Sequence, residues 1–254
     1  MCVLAFAWHA HPRWRLVLAG NRDELHARPA APLARWPDPD SALLAGRDLR
    51  SGGTWLGVSE RGRLAVVTNL RGFGDARPDR VSRGALVTDL LRGEGAYADP
   101  AAAALGDFNP FNLILADAGQ ATFLTNRPEP VRSRLAPGIY GLSNGALDEP
   151  WPKTLQLKAT LLDWIVDGAL PPHALLDGLR SDVLPDVGLI AAGPSDIPQE
   201  ATQSPVFIRN PVYGTRCSTV VAIDDRGAGL IVERRYGPDG AATGETELGF
   251  SWSR

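Results

Sequence analysis

The chain begins Met1-Cys2-Val3-Leu4-Ala5-Phe6, and the polar run Asn21-Arg22-Asp23-Glu24 follows a short distance later. Between them, residues 2–8 and 15–20 are apolar and are separated by a turn-like sequence over residues 9–12 that ends in proline. This pattern predicts a β-hairpin whose return strand delivers the polar run near its end. Because neighbouring antiparallel strands lie about 4.8 Å apart, the hairpin is expected to bring that run close to the amino terminus.

Cys2 becomes the first residue if the initiator methionine is removed, as is expected when a small residue follows it. It then carries both a thiol and a free α-amine, whose ordinary pKa values are about 8.5 and about 7.7 to 8.0. The amine is able to take the thiol proton at neutral pH, so Cys2 is a candidate nucleophile with its base on the same residue. The alternative is a buried, unreactive cysteine, which is the commonest fate of a free thiol.

The polar run supplies charged groups that such a nucleophile needs. An Asp or Glu is able to hold an ammonium group, and an Arg lowers the pKa of a thiol by favouring the thiolate. The alternative is an exposed, charged turn. Arg216, immediately before a predicted strand, is a further candidate for a buried charge beside the thiol.

Asn69 and Asn144 each stand directly after an apolar stretch that reads as a strand. Asparagine side chains suit an oxyanion hole, because their amide donors are neutral and can be fixed in place. Taken singly, each of the two residues is better explained as a turn former.

The composition favours one large globular domain over residues 1–254, since 44% of the residues are hydrophobic and 22% are charged. The net charge of -3 gives no basic surface for nucleic acid, although 24 of the 26 basic residues are Arg. This Arg excess is either a compositional bias or a functional feature. In the second case, some arginines between Arg47 and Arg92 line a pocket for an acidic ligand, because Arg binds carboxylates and phosphates.

The two cysteines, Cys2 and Cys217, do not make a disulfide framework, which indicates a reducing compartment. Cys217 is expected to serve in packing. No apolar run approaches the length of a membrane span, and the first apolar stretch lacks the flanking features of a signal peptide. We therefore expect a cytoplasmic protein.

The apolar periodicity predicts strands at the two ends of the chain and helices between them, which is typical of a layered α+β domain. The predicted strands are 2–8, 15–20, 52–59, 64–68, 112–116, 121–125, 138–142, 218–223, 229–235 and 246–250. The predicted helices are 83–91, capped by Ser82, with 99–105, 153–167 and 171–179. Residues 27–50 and 181–205 are rich in proline and are predicted to be loops.

Two further motifs indicate other chemistry. Gly141-Leu142-Ser143-Asn144-Gly145 has the G-x-S-x-G pattern of serine hydrolases. However, Pro150 and Pro152 interrupt the helix that should follow, and His173 is too near in sequence to be the expected histidine. His9-Ala10-His11 offers two metal ligands, but no carboxylate or Cys cluster stands beside it in the sequence, so a solvated turn is the favoured interpretation.

Together these motifs resemble the NRDE family, also called the transport and Golgi organization protein 2 family. The matching motifs cover nearly the whole chain, in family order: Met1-Cys2, Asn21-Arg22-Asp23-Glu24, Gly53-Thr54-Trp55-Leu56-Gly57, Thr68-Asn69, Ser82-Arg83-Gly84, Gly141-Leu142-Ser143-Asn144, Trp151-Pro152-Lys153, Tyr213-Gly214-Thr215-Arg216 and Ser218-Thr219. That family is in turn similar to cysteine-type N-terminal nucleophile hydrolases, such as penicillin V acylases and bile salt hydrolases.

The resemblance implies an α+β fold with four layers, αββα, in which two antiparallel sheets stack between helices. The site roles that it implies are Cys2 as the nucleophile, Asp23 holding the amine, Arg22 beside the thiol, Asn69 and Asn144 around the oxyanion, and Arg216 closing the pocket. The acylases separate the Arg from the Asp, whereas the two are adjacent here, so whether Asp23 or Glu24 holds the amine stays open. The residues expected to contact substrate are Glu24, Trp55, Arg71 and Tyr213.

We therefore expect hydrolysis of a non-peptide amide or related acyl substrate through an acyl-enzyme on Cys2, with no metal or cofactor. The rival expectation is a non-catalytic protein that binds or carries haem or acyl-coenzyme A. It follows from the resemblance, since eukaryotic family members are associated with haem mobilisation and with lipid or acyl-coenzyme A homeostasis. The sequence leaves the oligomeric state open.

Overall fold

The structure is a computed structural model that describes residues 2–37, 42–101, 104–168, 171–188 and 203–252. The strands within these ranges are β1 (Cys2–Trp8), β2 (Trp14–Leu25), β3 (Ala30–Arg35), β4 (Leu43–Asp48), β5 (Leu56–Ser59), β6 (Arg63–Asn69), β7 (Phe111–Asp117), β8 (Ala121–Thr125), β9 (Val131–Leu135), β10 (Gly138–Leu142), β11 (Tyr213–Asp224), β12 (Ala228–Tyr236) and β13 (Ala242–Ser251). The α-helices are α1 (Arg83–Arg92), α2 (Pro152–Val166) and α3 (Leu175–Gly178), and short 3-10 helices cover Leu105–Asp107 and Pro172–Ala174.

The strands form two antiparallel sheets. Sheet 1 has six strands in the order β10-β1-β2-β11-β12-β13, and sheet 2 has seven in the order β3-β4-β5-β6-β7-β8-β9. Alternate residues of a strand face opposite sides of its sheet, so Leu4 and Phe6 of β1 point toward sheet 2. There they join Leu44 and Leu64 in a buried core between the two sheets.

The outer face of each sheet is covered by helices. Val17 and Ala19 of β2 pack with Leu157 and Leu161 of α2 on the outer side of sheet 1. On the outer side of sheet 2, α1 contributes its apolar face to a separate core. The layer order is therefore αββα, and the predicted α+β fold is confirmed.

The amino-terminal hairpin is present as predicted, but its second strand is longer. The polar run 21–24 lies within β2 rather than after it, and Cys2 is the pairing partner of Arg22. The motif over residues 213–216 likewise belongs to β11, which begins at Tyr213 and not at residue 218. Both polar motifs are strand segments because they are hydrogen-bonded to each other, with Asp23 opposite Thr215.

The prediction of one loop over residues 27–50 is wrong, because this segment contains β3 and β4. Pro32 is tolerated in β3 since that strand is the edge of sheet 2, where a missing backbone donor disturbs no second neighbour. Strand β9 was not predicted, because it is an edge strand with four exposed residues and one buried one and so lacks an alternating pattern.

Two helix predictions also need correction. Around residues 99–105 the described residues form turns that lead into the 3-10 helix Leu105–Asp107, in which no residue is buried. An apolar-looking segment without a buried face does not sustain an α-helix. The segment 171–179 is divided between a 3-10 turn and α3. The predicted loop 181–205 contains no helix or strand where it is described, and residues 189–202 lie outside the described part.

Helices α1 and α2 agree with the predictions. Ser82 caps α1 by accepting a hydrogen bond from the Gly84 backbone N–H at 3.2 Å, and Gly93 ends the helix in the left-handed conformation. Pro152 stands at the start of α2, where its missing N–H is harmless. Among the helices described, none is both long and apolar enough to cross a bilayer.

Candidate active site

Cys2 begins β1 in the interior of sheet 1, and its backbone is anchored by the residues that follow β10. The Ser143 hydroxyl donates to the Cys2 carbonyl at 2.7 Å, and the Cys2 backbone nitrogen donates to Asn144 Oδ1 at 3.3 Å. The Ser143 hydroxyl is thus used to hold Cys2 in place. The Cys2 side chain lies on the same face of β1 as Leu4 and Phe6, so it points toward sheet 2. There it lines a cleft between the sheet ends.

Arg22, opposite Cys2 in the sheet, has a buried guanidinium with 7% of its side chain exposed. Its Nη2 lies 3.1 Å from Asp48 Oδ2, and the group stacks over the Trp55 ring at 4.2 Å. Arg28 approaches the same Asp48 oxygen to 2.6 Å. A buried cation needs such a partner, so Asp48 and Trp55 fix Arg22 beside Cys2.

Asp23 is buried, and it is held by β11. Its Oδ1 accepts a hydrogen bond from Thr215 Oγ1 at 2.7 Å, and its carbonyl accepts one from the Tyr213 hydroxyl at 2.9 Å. A bulge in β11 between Thr215 and Cys217 adjusts the register at this point. Glu24, by contrast, is 27% exposed at the rim, where it contacts Arg28.

Burial raises the pKa of the Cys2 thiol above its ordinary value, and the Asp23 carboxylate adds to this rise. The positive charge of the amino terminus opposes it most, followed by the Asp23 backbone N–H and the Arg22 guanidinium. Burial also raises the pKa of Asp23, against the opposing effects of the amino terminus, Lys153, Thr215 and Arg22. The thiol is therefore protonated near neutral pH unless a base lies next to it.

Asn144 links the nucleophile strand to sheet 2. It is completely buried, and its Nδ2 donates to the Asn69 carbonyl at 2.8 Å while its Oδ1 accepts from Cys2. Asn69 ends β6 and contributes to the wall of the cleft. The two asparagines thus occupy different places, with Asn144 under the Cys2 backbone and Asn69 at the cleft surface.

The cleft has a volume of about 400 Å³. Of the residues expected in the site, Cys2, Arg22, Asp23, Glu24, Trp55 and Asn69 line it. Four arginines from the segment 47–92 also line it, namely Arg50, Arg77, Arg80 and Arg83. Arginines of this segment therefore line a pocket, which was the functional alternative to a compositional bias.

Three other expected residues lie around the cleft in supporting positions. Arg71 donates its backbone N–H to the Asn144 carbonyl at 2.8 Å, and Tyr213 braces the Asp23 backbone. Arg216 lines a second cavity of about 110 Å³ together with Cys217. Its Nη1 donates to the Leu25 and Arg28 carbonyls at 2.8 and 3.0 Å, so Arg216 fixes the end of β2.

Sequence reasoning missed individual roles for Asp48, Arg83 and Lys153. Arg83 starts α1 and donates to the Pro110 carbonyl at 3.0 Å; burial lowers its pKa, and attraction to the Cys2 thiolate opposes that effect. Lys153 is completely buried, and its positive charge opposes the rise in the pKa of Asp23. The sequence offers a usable signal for Lys153, since it is one of only two lysines among 26 basic residues.

Metal-ligating side chains do not gather anywhere in the described ranges into a group of three or more. The two histidines near the first turn have other contacts. His11 Nδ1 accepts the Arg13 backbone N–H at 3.1 Å, and the His9 ring packs against Trp8 with centroids 4.4 Å apart.

Comparison with known proteins agrees with this architecture. The family model for Transport and Golgi organisation 2 matches residues 1–238. The Transport and Golgi organization protein 2 homolog of Bos taurus is 36% identical over 259 residues, covering 92% of each chain. The Homo sapiens homolog is 35% identical with the same coverage. Transport and Golgi organization protein 2 of Drosophila melanogaster is 28% identical over 174 residues, covering 60% of this chain and 61% of its own.

Two solved structures are similar to this one. A Caenorhabditis elegans N-acylethanolamine-hydrolyzing acid amidase ortholog has a TM-score of 0.50 at 12% identity, covering 86% of this chain and 92% of its own. The C2A mutant of conjugated bile acid hydrolase from Clostridium perfringens has a TM-score of 0.43 at 9% identity, covering 100% and 97%. The first of these similarities shows a shared fold. Because the family model and the relatives span almost the whole sequence, the chain belongs to the Transport and Golgi organisation 2 family.

Proposed function

We propose that the protein is an N-terminal-cysteine amidohydrolase that cleaves a non-peptide amide or a related acyl bond. The observation that carries this proposal is the position of Cys2. Its side chain faces a cleft of about 400 Å³, while its backbone nitrogen is held 3.3 Å from Asn144 Oδ1. After removal of Met1 that nitrogen becomes the α-amine, which supplies the base that a buried thiol with a raised pKa requires.

In the proposed reaction the α-amine takes the proton from Cys2 Sγ, and the sulfur attacks the acyl carbon. The amine then gives the proton to the leaving nitrogen, which departs as the carbon–nitrogen bond breaks and leaves a thioester. Water attacks the thioester carbon and loses a proton to the α-amine. The carbon–sulfur bond breaks, the acid is released, and the sulfur regains its proton.

The surrounding residues support separate steps of this reaction. Asp23 is assigned to hold the amine, because it is buried next to Cys2 whereas Glu24 lies at the rim. Arg22 is assigned to stabilise the thiolate. Asn69 is assigned to the oxyanion, since it lies at the cleft wall, and Asn144 to the position of the amine, since both ends of its side-chain amide are already engaged.

The cleft wall favours a substrate that carries an anionic group. Arg77 is neutralised by Asp79 at 2.7 Å. Arg80 and Arg83 donate to the Gly106 and Pro110 carbonyls, and neither forms an ion pair with any described residue. Their positive charge thus remains available, and guanidinium groups bind carboxylates and phosphates in preference to neutral groups.

The amino-terminal mass and the Cys2→Ala variant test the proposal. Intact mass spectrometry of protein made in its native host is expected to show Met1 removed. Cys2→Ala is then expected to abolish turnover of a panel of N-acyl amides, while Cys217→Ala, which changes the other free cysteine, retains it. Retention of Met1, or unchanged turnover by Cys2→Ala, contradicts the assignment of Cys2 as the nucleophile.

The same arginines favour a second candidate, a carrier for haem or acyl-coenzyme A, since both ligands carry anionic groups. A carrier binds its ligand without consuming it, and Cys2→Ala leaves that binding unchanged. Titration of wild type and Cys2→Ala with each ligand, followed by recovery of the intact ligand, separates the two candidates. Either function fits a reducing compartment such as the cytoplasm, because Cys2 and Cys217 are free thiols.

A further inference from the structure

Lys153 is a buried cation that the proposed reaction does not use. It lies in the first turn of α2, and none of its surface is exposed. Its Nζ donates to Ser204 Oγ at 2.7 Å and lies 5.8 Å from the centre of the Trp151 ring. These are neutral groups, so they do not balance the charge, and a buried ammonium without a counter-charge is strongly unfavourable.

The position of Lys153 in the helix makes the need for an anion stronger. The amino-terminal end of a helix carries partial positive charge, which disfavours a cation in the first turn. Lys158, the other lysine of α2, shows the ordinary arrangement. Its side chain is 28% exposed and its Nζ lies 2.6 Å from Asp148.

Asp23 of β2 is the acidic group whose charge acts most strongly on Lys153. Val17 and Ala19 of this strand contact α2, and Asn21 and Asp23 continue the same alternation. Asn21 confirms the direction, because its Nδ2 donates to the Leu179 and Val206 carbonyls on the outer side of sheet 1. Asp23, which is 3% exposed, is therefore on the helix side as well.

The charges around Lys153 can be assigned element by element. Asp23 on β2 and Cys2 on β1 are the acidic groups that attract it, and both oppose the fall in its pKa caused by burial. Thr215 and Ser218 of β11 contribute neutral hydroxyls on the same side, and Ser204 is neutral as well. Arg22, also on β2, points toward sheet 2 and Asp48.

We propose that Lys153 is a positioning residue whose ammonium is the buried counter-ion of Asp23. The pair keeps Asp23 ionised and in place on the helix side of the nucleophile strand. Asp23 in turn holds the α-amine beside the Cys2 thiol, and only this last step rests on the proposed function. Through the pair, α2 is coupled electrostatically to a cleft that lies on the opposite face of sheet 1.

A double-mutant cycle tests the ion pair by thermal unfolding. Lys153→Met and Asp23→Asn are each expected to lower the melting temperature, because each removes one half of a buried pair of opposite charges. The double variant removes both charges and is expected to melt above either single variant. If Lys153→Met does not fold, folding of the double variant supports the pair. A double variant that melts no higher than the single variants overturns it.

The pH dependence of Cys2 alkylation tests the positioning role, and it needs no turnover. The rate of reaction with iodoacetamide is followed at the Cys2 peptide by mass spectrometry, between pH 5 and pH 10. Lys153→Met is expected to move the midpoint up by about one pH unit, because the thiol loses a nearby opposite charge. Lys153→Arg restores the charge and the wild-type midpoint.

Lys158→Met is the matched control, since it removes a lysine from the same helix and is expected to leave the midpoint unchanged. An unshifted midpoint in folded Lys153→Met, or an equal shift in Lys158→Met, overturns the positioning role. Failure of the hydrolase proposal is seen separately, as turnover that does not depend on Cys2. The coupling between Lys153 and Asp23 is tested by the double-mutant cycle alone.

Discussion

Arg22 is the residue on which most contacts of the site converge. Its guanidinium is in contact with Asp48 and the Trp55 ring, and it lines both the nucleophile cleft and the second cavity beside Cys217. Burial and the nearby Glu233 carboxylate raise the pKa of Cys217 well above its ordinary value. Of the two free thiols, Cys2 lines the cleft of about 400 Å³, whereas Cys217 lines the second cavity.

Asp48→Asn is expected to destabilise the protein by about 3–5 kcal/mol, because Arg22 loses its buried counter-charge. Chemical denaturation gives the free energy of unfolding. Glu60→Gln is the control, since its partner Arg35 is 46% exposed and exposed ion pairs contribute only about 0–1 kcal/mol. Equal effects of the two substitutions would show that the Arg22 charge is balanced in another way.

The Asp48 pair also predicts a pH dependence of stability. Burial alone raises the pKa of Asp48, but hydrogen bonds from Arg28 and the Ser51 backbone, with the charge of Arg22, hold it below its ordinary value. A carboxyl whose pKa is lowered in the folded state stabilises that state fully above its unfolded pKa of about 3.9. This contribution is lost as the pH falls through the folded-state pKa.

We therefore compare the unfolding free energies of wild type and Asp48→Asn at several pH values. Their difference is expected to have its maximum value at about pH 6 and to decrease below about pH 4. Denaturation curves at several pH values measure it. A difference that grows on acidification contradicts the assigned direction of the pKa shift.

At the level of elements, the junction of residues 51–55 with α1 shapes the cleft. Gly53 lies so close to the Gly84 backbone that a Cβ at position 53 would collide with it. The Thr54 backbone N–H points to the Gly84 carbonyl at 3.4 Å, and both Thr54 and Ser82 line the cleft. Close approach of two glycines is thus what brings the start of α1, with Arg83, to the cleft that Cys2 lines.

Gly53→Ala is expected to destabilise the protein by roughly 1–3 kcal/mol, because two backbones must separate to admit the methyl group. The same movement displaces the cleft wall, so ligand binding is expected to weaken as well. Gly106→Ala is the control, since a Cβ at position 106 meets nothing within 4 Å. Denaturation midpoints that match for the two variants would contradict the role of the close contact.

At the scale of the whole molecule, charge is distributed unevenly. The chain has a net charge of -3, yet arginines line much of its cleft. Local charge in a cleft attracts oppositely charged ligands even when the net charge has the other sign. The cleft therefore offers selectivity for anions that the overall charge does not indicate.

Binding to Cys2→Ala is expected to depend on ligand charge and on salt. An N-acyl amino acid carries a carboxylate, whereas its carboxamide is neutral and otherwise nearly identical. The acid is expected to bind more tightly, and to lose that advantage at 1 M salt, where screening reaches about 3 Å. Isothermal titration measures both affinities.

Arg83→Gln is expected to weaken binding of the acid roughly tenfold, since a hydrogen bond to a charged group contributes about 1.5–3 kcal/mol. Arg134→Gln is a control on an exposed strand. Equal affinities of the acid and the carboxamide at low salt would contradict an anionic ligand.

The local sequence was sufficient for the elements whose pattern is regular. The apolar runs of β1 and β2, the Ser82 cap of α1 and the helical spacing in α2 depend on neighbours within a few residues, so the amino-terminal hairpin and both helices could be predicted. Family motifs extended this to the αββα fold and to the roles assigned to the ten candidate site residues. The sequence did not predict β3, β4 and β9. The first two lie in a proline-rich segment, and β9 is an exposed edge strand without an alternating apolar pattern.

By itself, then, the sequence determined a Cys2 nucleophile candidate, the polar run beside it and the α+β class. The tertiary structure decided which charges meet. Arg22 donates a hydrogen bond to Asp48, which is 26 residues away in the sequence. Asp23 accepts one from Thr215, which is 192 residues away. The tertiary structure also buried Lys153 in the first turn of α2 and brought Arg83 to the cleft. Such pairings are set by sheet register and helix packing, which join distant segments, and no local pattern of residues records them.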